Sequence, residues 1–331
     1  MRCSLGLAPG ACYLTAMHTL PRRIFLRRTL AAAGLTVFGQ TLPAQEKPRV
    51  SFGLGFSLYG MKSLPLEDAL KACAEIGYDN VELCLLEGYP TEPKLLTPAD
   101  RQRLRETIKS RKLRVSGLME NFTLLADDAK HAAQLERIKA AAQLAHDLSP
   151  DSPPPIETVL GGKPAEWEQV KEKMATQLRA WAETATASKA VIAIKAHIMS
   201  AVQNPERLLW LMRAVDSPAI RLAYDFSHFE LQGLPLDSTL AALIPHSVFI
   251  HVKDGRMNAD NKVEFQLPGE GTTDYGALFR QLQKIGYRGD VVVEVSGMIF
   301  KQPGYDPRAA AEKSLAALIA GLEKAGLARR A

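Results

Sequence analysis

Residues 275–297 read YGALFRQLQKIGYRGDVVVEVSG and contain one complete helix-to-strand unit. The segment 275–285 has the apolar spacing of an amphipathic helix, and Gly286 stands where such a helix should stop. The run that follows is rich in valine, which is typical of a strand buried on both faces. Glu294 interrupts this run near its end. This order predicts a helix that packs on a parallel sheet.

The same unit recurs along the chain. Strict alternation of strand and helix predicts a parallel sheet, and eight repeats predict a single closed (β/α)8 TIM barrel over residues 45–331. An open doubly wound sheet would need a glycine-rich phosphate turn after its first strand, and Gly53, Gly55 and Gly60 lack that spacing. The eight apolar runs are 51–60, 80–86, 113–120, 156–162, 190–197, 220–228, 247–254 and 290–297. The helical segments are 65–76, 98–112, 123–147, 165–188, 204–216, 236–244, 275–285 and 307–325.

Residues 1–44 have the composition of an export leader. The stretch 21–42, PRRIFLRRTLAAAGLTVFGQTL, places paired arginines before an apolar run that is too short to span a bilayer comfortably. Arg22-Arg23-Ile24-Phe25-Leu26-Arg27 resembles a twin-arginine export signal, and Met17 would give a leader of more usual length. No cysteine follows the run, so no lipid anchor is indicated. We therefore expect a periplasmic protein without a stable membrane anchor.

The net charge of +5 comes from this leader. Without its five arginines, the chain has 36 basic and 36 acidic residues, and a neutral body argues against a nucleic-acid partner. The overall composition, with 47% hydrophobic and 23% charged residues, is that of an ordinary globular protein. Cys73 and Cys84 are interpreted as two buried thiols, although an exported protein could also form a disulfide.

Ionisable side chains interrupt the apolar runs close to their carboxyl ends, where the active sites of (β/α)8 barrels lie. Burying so many charges without partners would be very costly, so they must face one another, a solvent-filled mouth or a cation. Acidic and histidine side chains that converge from neighbouring strands could hold Mn²⁺, Mg²⁺, Fe²⁺ or Zn²⁺. The residues are Glu82, Glu120, Lys195, His197, Asp225, His228, His251, Lys253, Asp254 and Glu294.

Three stretches carry a resemblance to a known family: YDFSHF (224–229), FIHVKDGR (249–256) and PGEGTTDYGALFRQLQKIGYRGDVVVEV (268–295). With them, residues 50–325 resemble the xylose isomerase-like TIM barrel superfamily, which includes sugar isomerases and epimerases, inosose dehydratases and apurinic endonucleases. The resemblance implies a small sugar or keto-sugar substrate and a divalent metal. Its epimerases are commonly dimers, so it is compatible with a homo-oligomer.

In the epimerase-like members, a Glu, an Asp, a His and a Glu from strands five to eight hold the metal. The last three match Asp225, His251 and Glu294, but the first falls on Lys195, which departs from the pattern. Three interpretations stay open at this point. In the first, Asp225, His251 and Glu294 hold a metal and Lys195 contacts the substrate. In the second, the Lys195 ammonium replaces the metal. In the third, Lys195 forms a Schiff base, which needs a lowered lysine pKa that nearby carboxylates oppose.

We therefore expect a metal-assisted isomerase or epimerase that removes a proton next to a carbonyl. Glu294, His228 and Lys195 are the expected catalytic residues. A keto-glycoside lyase or hydrolase and a non-catalytic sugar-binding barrel are the alternatives, and an apurinic endonuclease is disfavoured by the neutral body. The expected substrate-binding residues are His197, Lys253, Glu82 and Glu120, of which the two glutamates could instead be hydrogen-bonding partners behind the site.

Overall fold

A computed structural model describes residues 52–330 of the chain, so the leader and the two cysteines within it lie outside the described residues. The described strands, in chain order, are β1 (Gly53–Ser57), β2 (Asn80–Cys84), β3 (Arg114–Glu120), β4 (Ile156–Val159), β5 (Ile192–Lys195), β6 (Ile220–Asp225), β7 (Ser247–Val252), β8 (Asp254–Met257), β9 (Val263–Gln266) and β10 (Asp290–Val293).

Eight of these strands form a closed parallel barrel in the order β1-β10-β7-β6-β5-β4-β3-β2. Each strand lies within one of the eight apolar runs, so the predicted (β/α)8 TIM barrel is confirmed. The remaining two, β8 and β9, form an antiparallel hairpin outside the barrel, which the sequence analysis did not predict.

Helices follow the barrel strands and cover them. They are α1 (Leu66–Ile76), α2 (Pro98–Ser110), α3 (Asp128–Leu148), α4 (Trp167–Ala187), α5 (Pro205–Val215), α6 (Ser227–Glu230), α7 (Leu236–Leu243), α8 (Tyr275–Ile285), α9 (Gly297–Phe300) and α10 (Pro307–Lys324). Short 3-10 turns occupy Leu58–Met61, Pro93–Leu95, Pro164–Glu166 and Ile244–His246. The bounds of the eight long helices agree with the predicted segments to within five residues.

Local signals in the sequence explain where helices begin and end. Thr97 and Asp100 form a reciprocal capping box at the start of α2, with Pro98 in the first turn. Gly77 and Gly286 end α1 and α8 in the left-handed conformation, with φ of 101° and 86°, which favours glycine. Among residues 52–330, no helix combines the length and apolar character that a membrane crossing requires.

The interior of the barrel is filled at mid-height by the Phe249 ring. Ala193, Ala223 and Val292 pack around it, and Gly117 supplies the remaining space, because a Cβ atom there would lie only 2.7 Å from the ring. His251, two residues further along β7, meets the ring edge-on at a centroid distance of 4.8 Å. This apolar layer is therefore called the floor of the site, and the charged groups of the mouth pack against it.

Cys73 and Cys84 are both buried and free, which confirms their interpretation as two thiols rather than a disulfide. Burial raises the pKa of the Cys73 thiol to about 12 and also raises that of Cys84.

Candidate functional site at the barrel mouth

The barrel brings charged side chains from five strands to one place at the C-terminal mouth. They lie at or near the ends of β4, β5, β6, β7 and β10, and β2 adds the Glu82 side chain. Nearly all of them are buried, so their charges must be balanced within the cluster. The members of this mouth cluster are Glu82, Glu157, Lys195, Asp225, His228, His251, Lys253 and Glu294.

Lys195, the last residue of β5, lies at the centre of the mouth cluster. Its Nζ atom is 3.0 Å from Glu294 Oε2, 3.2 Å from Glu157 Oε1 and 2.9 Å from His251 Nδ1. A third carboxylate oxygen, Asp225 Oδ2, is 4.0 Å away. The ammonium therefore has partners from β4, β6 and β7 and from the residue that follows β10.

Lys253 supplies a second ammonium to the same oxygens. Its Nζ atom donates to Glu294 Oε2 at 2.7 Å and also to Asp225 Oδ2. Asp225 is held in place from its other oxygen, because Oδ1 accepts from the Ser227 hydroxyl at 2.7 Å. Two cations thus converge on two carboxylates, which is the pairing that a buried charge requires.

The contacts of His251 define its tautomer. Nδ1 faces the Lys195 ammonium, which can only donate, so Nδ1 must be the acceptor. Nε2 lies 2.9 Å from Glu82 Oε2 and therefore carries the proton that it donates to this carboxylate. Glu82 is fully buried behind His251 and orients the ring.

A pocket of about 350 Å³ opens above the mouth cluster. The predicted residues Lys195, His197, His228, Lys253, Glu120 and Glu294 line it, and so does Glu157, which the sequence analysis missed. Asp225, His251 and Glu82 do not line it, and each of them is at most 1% exposed. The predicted site residues are thus brought together, but in two layers.

Two histidines form one wall of the pocket. The rings of His197 and His228 are 4.2 Å apart between centroids, and His228 Nε2 lies 3.5 Å from Asp225 Oδ2. Burial, together with the charge of Lys253, lowers the pKa of His197 to about 4 and holds that of His228 well below its ordinary value. Both rings are therefore neutral at neutral pH.

Glu120 and Asp254 are occupied by partners outside the mouth cluster. Both carboxylate oxygens of Glu120 accept from Arg137, at 2.8 and 2.9 Å, and burial raises its pKa to about 7 against the opposing effect of this arginine. Asp254 accepts from the Tyr275 hydroxyl and from the backbone of Gly269 and Gly271. Asp254 therefore fixes the loop of the quoted PGEG stretch.

The carboxylates of the pocket differ in their ionisation. Burial would raise the pKa of Glu294, but Lys195 and Lys253 hold it well below its ordinary value, so Glu294 is ionised at neutral pH. Burial raises the pKa of Glu157 to about 7, despite the opposing charge of Lys195. At neutral pH Glu294 is thus ionised, whereas Glu157 is partly protonated.

The spacing of the acidic and histidine ligands could accommodate a metal ion. The ligand atoms of Asp225, His251 and Glu294 all lie within 4.8 Å of one another, and so do those of Glu82, Glu157 and His251. In the first set, however, Lys195 and Lys253 contact the same atoms that a metal would need. The ligand types are suitable, but two ammonium groups compete for them.

Comparison with known proteins defines the class of this barrel. Residues 70–320 match the xylose isomerase-like TIM barrel family, and the chain belongs to that family. The resemblance inferred from the three sequence stretches is thereby confirmed.

The chain is similar to the L-ribulose-5-phosphate 3-epimerase UlaE of Shigella flexneri serotype 5b (strain 8401), with 25% identity over 285 residues, covering 82% of this chain and 96% of the relative. The crystal structure of the IOLI protein with a bound zinc atom matches with a TM-score of 0.67 and 18% identity, covering 83% of this chain and 98% of that one. The 3-keto-D-glucoside 4-epimerase YcjR from E. coli matches with a TM-score of 0.63 and 18% identity, covering 82% and 100%. Relatives of this chain therefore include sugar epimerases.

Proposed function

We propose that this chain is an isomerase or epimerase of a sugar or keto-sugar, which moves a proton at the carbon next to a carbonyl group. One observation carries the proposal. Two carboxylates that line the same pocket, those of Glu294 and Glu157, lie within 3.2 Å of one ammonium nitrogen, Lys195 Nζ. Such a site offers a base, an acid and a positive charge around one substrate carbon.

The residues have distinct parts in this reaction. The ionised Glu294 removes the proton, and the electron pair of the broken C–H bond moves to the carbonyl oxygen to give an enediolate. Glu157, or the neutral His228 that lines the same pocket, returns a proton to the same or the adjacent carbon. His197 and Lys253 face the pocket, where they can donate to substrate oxygens.

The enediolate oxygen needs positive charge, and the mouth cluster has two candidate sources. A divalent ion on Asp225, His251 and Glu294 would polarise the carbonyl, as the sequence analysis expects and as zinc in a related structure supports. Alternatively, the ammonium groups of Lys195 and Lys253 would donate hydrogen bonds to the same oxygen.

The charges of the pocket favour an unphosphorylated substrate. Among the described residues that line it, the cationic side chains are Lys195 and Lys253, and both are already paired with buried carboxylates. A phosphate group would add two negative charges beside Glu120, Glu157 and Glu294 without an arginine to receive them. We therefore expect a neutral sugar, unlike the phosphorylated compound named for the UlaE relative.

The test is a carbon-13 NMR screen of L-ribulose, D-fructose, methyl 3-keto-D-glucoside and L-ribulose 5-phosphate with the wild-type protein and with Glu294→Gln. We expect conversion of at least one neutral keto-sugar, and its loss in the variant. Binding of a neutral sugar without turnover would instead identify a non-catalytic sugar-binding barrel. Turnover of the phosphorylated sugar alone would contradict the proposed substrate class.

A groove beside the pocket favours a glycoside as the substrate. This second cavity, of about 510 Å³, shares Tyr59 and Leu86 with the first, and its other lining residues include three further aromatic rings and two lysines. Tyr59 stacks with Tyr89 at 6.0 Å and meets Phe300 edge-on at 4.8 Å. Aromatic side chains offer flat apolar faces with polar edges, which suits a second sugar ring.

Keto-glycoside lysis is therefore the second candidate function, because proton removal next to the keto group can expel the glycosidic oxygen. If the groove holds the second ring, Phe300→Ala should weaken binding of a 3-keto-disaccharide more than binding of methyl 3-keto-D-glucoside. Equal effects on both ligands, measured by titration calorimetry, would exclude this use of the groove.

We further propose that residues 1–44 direct export to the periplasm through the twin-arginine route. The paired arginines and the short apolar run support this proposal. Replacing Arg22 and Arg23 with lysine should retain the full-length precursor in the cytoplasm, whereas the wild-type protein should appear shortened in the periplasmic fraction. An unprocessed wild-type protein in the cytoplasm would contradict it.

A further inference from the structure

The position of the Lys195 ammonium is that of a cation among ligands. Of the three atoms that could bind a metal, His251 Nδ1 lies 2.9 Å, Glu294 Oε2 3.0 Å and Asp225 Oδ2 4.0 Å from Lys195 Nζ. A transition metal would need the same three atoms at about 2.0–2.2 Å. The lysine nitrogen thus lies in the space that these three ligands enclose.

Lys253 contacts the two carboxylate oxygens of the same set. It donates to Glu294 Oε2 and to Asp225 Oδ2, the two carboxylate atoms of the ligand set. A divalent ion bound to these oxygens would have two ammonium groups as its immediate neighbours, all of like charge. The ion and the two ammonium groups therefore exclude one another.

Access from the pocket also favours the ammonium groups over a metal ion. Lys195, Lys253 and Glu294 line the pocket, whereas Asp225 is 1% exposed, His251 is fully buried, and neither lines it. A substrate oxygen that enters the pocket meets ammonium protons before it could reach the atoms of a complete metal ligand set. The β5 position that carries the first glutamate in the resembling epimerases carries the central ammonium here.

We propose that the ammonium groups of Lys195 and Lys253 replace the divalent cation in this chain and receive the enediolate oxygen as hydrogen-bond donors. This proposal rests on the proton-transfer function proposed above. The electron pair released when Glu294 takes the proton moves to the carbonyl oxygen, and returns to carbon when the proton is delivered back. Both lysines remain ammonium groups throughout, so no other reactant is required.

The glutamate missing from β5 has a substitute on the neighbouring strand. Glu157 Oε1 forms a buried ion pair with Lys195 Nζ at 3.2 Å. Glu157 and Glu294 therefore flank the ammonium from β4 and from the end of β10. The site therefore retains two carboxylates for proton transfer, and the Lys195 ammonium lies between them.

The experiment measures metal binding directly and needs no substrate. Full-length protein purified without chelator is analysed by elemental mass spectrometry, and is then titrated with Mn²⁺ and with Zn²⁺ in a calorimeter. The variants are Lys195→Glu, which restores a carboxylate, and Lys195→Met, which removes the ammonium at similar length. Lys313→Glu, at an exposed ion pair with Glu270, is the matched control.

We expect the wild-type protein and Lys313→Glu to contain far less than one equivalent of metal. Lys195→Glu should bind about one equivalent, at least ~100-fold more tightly than the wild type. Lys195→Met should fall between the two, because it removes repulsion without adding a ligand. Circular dichroism of each variant confirms that the barrel is folded.

Tight binding of about one equivalent by the wild-type protein would overturn the proposal, and so would a Lys195→Glu variant that binds no better than Lys313→Glu. The two proposals fail separately. A metal-binding wild type that still converts keto-sugars would leave the proposed function intact. A metal-free wild type that converts none of them would leave the ammonium site intact and remove the function.

Discussion

Replacing Lys195 with methionine should cost much of the stability of the barrel. The ammonium is the shared partner of Glu157, Glu294 and His251, at 2.9–3.2 Å, and its side chain is only 3% exposed. Removing one member of a buried ion pair leaves an uncompensated charge, which typically costs about 3–5 kcal/mol. Methionine fills a similar volume, so the loss of packing adds little. We expect a decrease of this size in the free energy of unfolding at pH 7.5.

Urea unfolding followed by tryptophan fluorescence provides the assay, since two of the three tryptophans, Trp167 and Trp181, are buried in the barrel. Lys313→Met is the control, because this lysine is 56% exposed and its ion pair with Glu270 should contribute about 0–1 kcal/mol. If Lys195→Met lost no more than Lys313→Met, the ammonium would not be balancing the carboxylates, and the electrostatic account of the mouth cluster would be refuted.

The pH dependence of this loss has a definite sign. Without the ammonium, burial raises the folded-state pKa values of Glu157 and Glu294 relative to the wild type. A carboxyl whose pKa is raised on folding contributes stability below its unfolded pKa and loses it as pH rises through the folded value. The deficit of Lys195→Met should therefore be smallest near pH 5 and grow toward pH 8. A deficit that grew on acidification would contradict this reasoning.

Three further predictions concern the floor, the thiols and the histidine wall. Gly117→Ala should destabilise the barrel by about 1–3 kcal/mol, because its Cβ would lie 2.7 Å from the Phe249 ring, and Phe249→Leu in the same chain should recover part of this loss. Cys73 and Cys84 should resist iodoacetamide at pH 8 in the folded protein and react once it is unfolded in urea. The folded-state pKa of His197, about 4, predicts that stability is lost as pH falls from about 6.5 toward 4, and that His197→Gln weakens this dependence.

Each of these has an outcome that contradicts it. Full stability of Gly117→Ala would show that the floor yields to an extra methyl group. Alkylation of either thiol in the native protein would mean that it is accessible. An acid dependence that is identical in the wild type and in His197→Gln would assign the titration to other groups. The matched control is His246→Gln, at the residue that immediately precedes β7.

The barrel was predictable because both faces of its strands are buried. Such strands become short apolar runs, and the runs stand out against helices with clear stop signals such as Gly77 and Gly286. The β8–β9 hairpin was missed because its strands mix polar and apolar residues and form no continuous apolar run. Glu294 could be predicted as a site residue because it follows three consecutive valines, which mark the strand and its end.

The composition of the mouth was predictable, but its layering was not. The sequence indicated which side chains approach the strand ends, whereas the register of neighbouring strands decides which of them reach the pocket. Glu157 was missed because candidates were sought near the carboxyl ends of the predicted runs, and Glu157 is the second residue of the run 156–162. The pairing of Glu120 with Arg137 joins β3 to the following helix, α3, and no rule of residue spacing predicts such a pair.

The most direct test of the proposed chemistry is deuterium incorporation in D₂O at the carbon next to the carbonyl, observed by NMR with methyl 3-keto-D-glucoside and L-ribulose. The account predicts exchange of this one proton with the wild-type protein, and its loss in Glu294→Gln while the sugar still binds. Binding without exchange in the wild type, or undiminished exchange in Glu294→Gln, would show that the mouth cluster does not move the proton.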